Sequence, residues 1–280
     1  MSPKTYLAIL RILSRIPLSK RLHKLTTKRH AVIIPDMEWF GLRFRTPLGL
    51  GPGLDRNGDY CDIMSSLGFS HISIGPVTLE RQENDPDVPN KGIRHAINQI
   101  QEKGGNSILA LAITPSRSCN GEGATVQDCL TAFSLGYDFA DMFILDFRPP
   151  YICKLVDPSL VAAICDQVIE TRLAYDYSKP ILIALPSGIQ PAILDEIVAY
   201  CRLNRVDGII LQDMEAVKGV CATTQGRFPI IYAGGLKNAS DAPAILDSGA
   251  TMIHICDELP SKRAKFVRSI YKSREQHNKG

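Results

Sequence analysis

The sequence predicts an α/β protein, a single (β/α)₈ TIM barrel with a short helical N-terminal extension, and two observations carry that expectation. Eight short apolar runs alternate with longer amphipathic segments, the pattern of a parallel sheet wound with helices. The 280 residues also suit one such barrel, which commonly takes about 250. An open doubly wound sheet is the alternative topology, and the count of eight favours closure. The expected division is residues 1–37 for a basic amphipathic helical extension and 38–280 for the barrel.

The extension comes first. Tyr6, Ile9, Leu10, Leu13 and Ile16 follow helical spacing, and Leu18, Leu22 and Leu25 repeat it among Lys20, Arg21 and Lys24. A helix of this kind can lie on an anionic membrane, its bases toward headgroups and its leucines inserted. It can equally pack on the barrel surface. An organelle-targeting peptide is a third reading of a basic, acid-free start. No run of 18 apolar residues exists, so nothing here is expected to span a bilayer, and Arg11 and Arg15 interrupt the apolar stretch too early for a secretory signal.

"WFGLRF" (Trp39 to Phe44) reads as a hairpin or cap. The eight candidate strands follow: Leu48 to Gly51, Ile72 to Gly75, Ile108 to Ala112, Met142 to Asp146, Ile181 to Ala184, Gly208 to Leu211, Ile230 to Ala233 and Met252 to Ile255. Helical stretches between them include Thr125 to Tyr137, Ser159 to Tyr175, Ile189 to Leu203 and Ala239 to Ser248, several opening after Asp, Pro or Ser as helix starts do. Catalytic or binding groups are then expected at the C-terminal strand ends.

Charge is unevenly placed. Of 32 bases and 29 acids, eight bases and no acid fall in residues 1–30, and seven bases with one acid in 260–280, leaving 17 bases against 28 acids between. An acidic body argues against nucleic acid binding by the barrel. Eight cysteines form no C-x-x-C pair and six histidines show no ligand spacing, so buried thiols in a reducing compartment and no metal are expected. The location expected is intracellular, cytoplasmic or peripheral on the inner face of a membrane.

Five segments in order carry a resemblance: "TPLGLGPGLDRNG" (Thr46 to Gly58), "LGFSHISIGPVT" (Leu67 to Thr78), "TVQDCLTAFSLGYDFAD" (Thr125 to Asp141), "DGIIL" (Asp207 to Leu211) and "FPIIYAGGLKNASDAPAILDSGA" (Phe228 to Ala250). Together they resemble dihydroorotate dehydrogenase of the membrane-associated, quinone-reducing class, over roughly residues 38 to 258. The resemblance implies a barrel that holds FMN at its C-terminal mouth and oxidises dihydroorotate in pyrimidine biosynthesis. It also implies a serine base after the fourth strand and a lysine on the fifth.

At those positions this chain differs. The fourth strand runs on as Asp146, Phe147, Arg148, Pro149, Pro150 and Tyr151, so the position of the family's base is Pro149, which has no proton to exchange. Asp146 and Arg148 are the catalytic candidates that remain, and a carboxylate there repels an anionic substrate unless Arg148 neutralises it. Ala184 stands in place of the flavin lysine, and Ala112 in place of an asparagine. Cys153 is the nearest thiol.

The cofactor-binding candidates are Gly51, Gly53, Arg56, Asp213, Gly234 and Gly235. "GLDRNG" keeps a positive charge in Arg56, though "GLDRNG" also reads as a plain turn with a helix cap. "AGGL" resembles one half of the phosphate site, with tight strand–helix packing as its other reading. The second half is replaced by Cys256, Asp257 and Glu258. Each carboxylate facing a phosphate at about 4 Å costs roughly 4 kcal/mol at an effective dielectric near 20, with Lys262 and Arg263 near enough in sequence to offset part. Weak or absent FMN binding is therefore expected.

Two functions follow: a catalytically degenerate barrel (a pseudoenzyme) that takes a small anionic ligand at its mouth, or an active FMN-dependent oxidoreductase passing electrons to a quinone. A flavin-free isomerase or aldolase is a third class, and no strand end carries the lysine that a Schiff-base aldolase needs.

Overall fold

The computed structural model describes residues 37–65, 69–103, 107–236 and 238–256. The N-terminal extension before Met37, and with it any membrane-binding role, lies outside the described residues, as do Asp257, Glu258, Lys262 and Arg263. The described chain opens with strands β1 (Met37–Trp39) and β2 (Leu42–Phe44), paired antiparallel. Phe40 and Gly41, at φ 55° and 73°, make the two-residue left-handed turn whose twist matches a hairpin.

Eight parallel strands follow: β3 (Leu48–Asp55), β4 (His71–Val77), β5 (Ile108–Ile113), β6 (Met142–Asp146), β7 (Ile181–Ala184), β8 (Gly208–Leu211), β9 (Ile230–Tyr232) and β10 (Met252–Ile255). They close in the order β10-β3-β4-β5-β6-β7-β8-β9, with Ile253 beside Leu48 at the seam. The barrel and its eight strands match the sequence expectation. β3 and β4 run further than the apolar runs suggested, to Asp55 and Val77, because their C-terminal ends are built from Gly and Pro.

Side-chain alternation places the core. Leu109, Leu111, Phe143, Leu145, Ile181, Ile183, Ile209 and Leu211 face outward and pack on the helices. Ala110, Ala112, Met142, Ile144, Leu182, Ala184, Ile210, Ile231, Ala233 and Met252 fill the barrel, and Phe44 of the hairpin joins that inner cluster. Strands buried on both faces read as continuous apolar runs for this reason. Each fully buried Leu, Ile or Phe contributes on the order of 1.5–3 kcal/mol.

The helices are α1 (Cys61–Ser65), α2 (Ile93–Lys103), α3 (Glu122–Gly136), α4 (Pro150–Cys153), α5 (Pro158–Leu173), α6 (Pro191–Leu203), α7 (Met214–Thr224) and α8 (Ala242–Asp247). Asp157 caps α5 by accepting from Leu160 N at 2.8 Å, ahead of a proline in the first turn, the arrangement that leaves fewest orphan donors. Among the described residues no helix is long and apolar enough to cross a membrane, and no group of three His, Cys, Asp or Glu could hold a metal ion. None of the eight cysteines is in a disulfide.

Candidate functional site

The C-terminal ends of the strands bring most of the candidates to one mouth. Asp146 is the last residue of β6, and the chain turns at Pro149 into α4. Arg148 folds back on that carboxylate: its Nε donates to Asp146 Oδ1 at 2.8 Å and its Nη2 to Oδ2 at 2.6 Å, while the Arg148 backbone N–H donates to Oδ1 at 3.1 Å. Their side chains are only 13% and 1% exposed. Such a bidentate pair satisfies both carboxylate oxygens. Burial alone would lower the Arg148 pKa, but the Asp146 carboxylate outweighs it and holds the guanidinium charged.

Arg148 also interacts with the Cys256 side chain and the His254 ring. Cys256 directly follows β10, which stands four strands from β6 in either direction around the closed sheet. The arginine after β6 therefore acts electrostatically on groups of the opposite strand. Pro149 and Pro150, beside it, offer no acid or base.

The loop after β3 is a built turn. Buried Asp55 accepts from the backbone N–H groups of Asn57, Asp59 and Tyr60 at 3.3, 3.0 and 2.8 Å. Burial nonetheless pushes its carboxyl up to about 6, with Asp59 adding to the rise. Arg56 follows, its pKa lowered by burial against the opposing pull of Asp85 and Asp146. Its Nε is buried and lacks a hydrogen-bond partner among the described residues, as does Thr114 Oγ1. Gly53 is exposed at φ 119°. A Cβ on Gly51 would stand 2.5 Å from Cys256 Sγ and 2.9 Å from His254 Cβ, so the space its hydrogen leaves is filled by protein.

On the far side, a Cβ on Gly234 would meet Gln212 O at 2.0 Å and Tyr232 Oη at 2.5 Å, whereas Gly235, at φ 93°, has nothing within 4 Å. Gly234 is thus required by strand–loop packing and Gly235 by its backbone angle. Asp213, exposed, caps α7 by accepting from Glu215 N at 3.0 Å. Ala112 and Ala184 line the barrel wall. A cavity of about 580 Å³ opens beside the mouth against Arg81, Gln82, Asp85, Arg117 and Ser118. Arg117 there is held by Asp85 and Asp87 and lies 4.4 Å over the Tyr151 ring.

Sequence reading missed a buried histidine pair. His71 and His254, both 0% exposed, meet Nε2 to Nε2 at 2.7 Å, and Ser70 Oγ lies 3.2 Å from His71 Nδ1. The Ser70 hydroxyl donates to Leu48 O at 2.9 Å, so His71 Nδ1 carries the proton that Ser70 accepts. His71 Nε2 is then the acceptor and His254 Nε2–H the donor, leaving His254 Nδ1 bare; it has no partner among the described residues. Burial pushes His71 down to about 3 and, with His71 and Arg148 adding, His254 well below its usual range. The one available signal was the period of two, which puts His71 and Ser73 on the inner face opposite Gly49.

Comparison with known proteins agrees with this architecture. No family model matches the chain. The dihydroorotate dehydrogenase (quinone) of Wigglesworthia glossinidia brevipalpis is 25% identical over 292 aligned residues, covering 85% of this chain and 86% of that protein. That of Saccharophagus degradans is 23% identical, covering 89% and 88%. The ligand-free DHODH structure from Eimeria tenella superposes with a TM-score of 0.79 over 94% of each chain at 13% identity, and its ferulenol complex with 0.76 over 93% of this chain and 91% of that one. The resemblance to dihydroorotate dehydrogenase holds along most of the chain, and the fold is shared.

Proposed function

We propose that this chain is a dihydroorotate dehydrogenase-like barrel that has lost the family's oxidation chemistry and keeps the scaffold. A core packs for its own stability regardless of what its mouth does. The observation that carries the reading is the Asp146–Arg148 pair. A substrate-side base must stand free to take a proton, and here the one carboxylate at the β6 end has both oxygens committed to Arg148. The arginine in turn interacts with Cys256 after the opposite strand. Pro149 supplies no proton acceptor.

FMN fits only half of this site. Gly235, left-handed and unobstructed, suits a phosphate approached by backbone N–H groups. The ring side does not fit: Ala184 offers no positive charge, Gly51 is covered by Cys256, and the Arg148 charge is committed to Asp146. The mouth then takes a small anion at most, with Arg56, whose Nε has no hydrogen-bond partner among the described residues, as the contact. Gly235 favours the second reading, an active flavoprotein.

The visible absorption spectrum of the purified protein, before and after excess FMN and gel filtration, separates the two. A colourless protein that retains no added FMN is expected. Bound flavin near one equivalent would overturn the proposal. For the basic segment 1–30 we propose peripheral contact with anionic lipid, tested by co-sedimentation with liposomes with and without those residues. Equal pelleting would exclude it as the anchor.

A further inference from the structure

We propose that Arg117 is the pin of a charge-held strap that closes the rim of the mouth between Arg56 and Asp146. The arm it holds is the long connection from β4 to α2. That arm folds back on itself at one antiparallel bridge, where Gln82 N–H donates to Asn90 O at 2.9 Å and Asn90 N–H to Gln82 O at 3.3 Å. Its root is fixed by Asn90 Oδ1, which accepts from the N–H groups of Thr78 and Gly92 at 3.2 and 2.9 Å. Its tip is shaped by Asp85, whose Oδ1 accepts from the N–H groups of Asp87 and Val88 at 2.9 and 2.7 Å. One bridge and one such turn are too little to hold a tip in place alone.

Arg117, in the loop after β5, supplies the rest. Its Nε donates to Asp85 Oδ2 at 2.5 Å, its Nη2 to Asp85 Oδ1 at 3.3 Å and to Asp87, and its backbone N–H to Gln82 Oε1 at 3.5 Å. Among the described residues, the hydrogen bonds that residues 81–89 make outside the arm all go to Arg117. The pin's own loop is anchored to the barrel, since Ser116 N and Oγ donate to Asp128 Oδ2 on α3 at 3.1 and 3.0 Å. The guanidinium lies 4.4 Å over the Tyr151 ring of α4, whose hydroxyl donates to Pro115 O at 2.8 Å. One side chain thus ties together the loops that follow β4, β5 and β6. The pair with Asp85 is two-pronged, the strong form of such a bond, and it holds the Asp85 carboxyl down to about 2. The strap therefore stays charged at neutral pH, and a pH change there does not open it.

Strand order puts this strap where it governs access. β3, β4, β5 and β6 are neighbours in the closed sheet. Arg56 follows the first and Asp146 ends the last, so the arm and its pin stand on the two strands between. At its root the arm meets the Arg56 loop, where Lys91 N–H donates to Asn57 Oδ1 at 2.9 Å, and Asp85 of its tip acts on the Arg56 charge. The cavity of about 580 Å³ is lined by the arm from Glu80 to Asp85 and by Arg117 and Ser118, so the strap spans open space. An arm held across a hollow by one side chain opens as a local unit without unfolding the barrel. Opening uncovers Arg56, the contact proposed above for a small anion. The strap itself rests on the rim's own bonds and stands whether or not an anion or flavin binds.

The test uses the full chain and two readouts: amide hydrogen exchange by mass spectrometry, and the rate at which phenylglyoxal labels Arg56, mapped on peptides. Arg117→Gln should speed exchange in the arm, residues 79–91, by about fivefold and leave β5 and α3 unchanged. The same variant should label Arg56 about threefold faster than the parent does, because the arm no longer shields it. Arg81→Gln makes the same change of charge but breaks only the pair with Glu83 inside the arm, and should match the parent in both readouts. Circular dichroism checks the fold. If Arg117→Gln does not fold, Asp87→Asn, which removes one of the two carboxylates from the pin, should move both readouts in the same direction by less. Unchanged exchange in the arm, a rise spread equally over the barrel, or faster exchange without faster Arg56 labelling would each overturn the proposal.

Discussion

Replacing His71 with Asn should remove one source of acid sensitivity from this barrel, by an amount the structure sets. The native ring stays neutral down to about 3 because burial disfavours its charge, whereas an unfolded histidine takes up a proton near 6.5. Between those values the unfolded chain binds a proton that the folded chain does not, so stability falls as pH drops through that window, at about 1.4 kcal/mol per pH unit. From pH 6.5 to 5.0 the His71 share is therefore about 2 kcal/mol. His254 acts in the same direction, and Asp55, raised to about 6, acts in the opposite one, gaining stability as pH falls through 6. Asp55 is common to the two proteins and cancels in their difference, while His254 stays lowered chiefly by burial and, on losing the His71 ring that also lowers it, shifts the gap in the same direction as His71 itself.

His71→Asn keeps a donor for Ser70 but loses the ring and the acceptor for His254 Nε2, so it starts less stable by roughly 2–4 kcal/mol at pH 7. The informative quantity is how that gap changes. Urea unfolding followed by the fluorescence of Trp39, the single tryptophan, at pH 7.0, 6.5, 5.5 and 5.0 should show the gap shrinking by about 2 kcal/mol between 6.5 and 5.0. A gap that is constant with pH would refute the reasoning, because it would mean that His71 is as easily protonated inside the barrel as outside.

Arg148→Met leaves the Asp146 carboxylate buried and unpaired, and should cost about 3–5 kcal/mol in urea unfolding at pH 7, with part recovered in the Asp146→Leu/Arg148→Met double variant. Gly49→Ala places a Cβ 1.9 Å from His71 Cε1 and should lower stability by at least about 1–3 kcal/mol. Gly219→Ala, exposed within α7 with nothing within 4 Å, should raise it by about 0.5–1 kcal/mol. Thermal melts of the two glycine variants should move in opposite directions.

Much of the fold was written in local pattern. The apolar runs Met142 to Asp146, Ile181 to Ala184, Gly208 to Leu211 and Met252 to Ile255 coincide with strands because a strand covered by helices on one face and barrel core on the other must be apolar at every position. Asp157 followed by Pro158 marked a helix start in the same legible way. The short helix Cys61–Ser65 and the helix Met214–Thr224 were not singled out: one is brief and the other begins in a loop whose Asp213 reads equally well as a ligand. At the mouth, residue types alone settle that Pro149 and Ala184 carry no titratable group, since no folding can give those side chains one. What residue types could not say is which distant groups meet. That Gly49 and Gly51 make room for His71, His254 and Cys256, and that Arg148 closes on Asp146 while acting on groups of β10, follows from strand order, because closure of the sheet sets residues 71 and 254 across one glycine strand and β6 opposite β10.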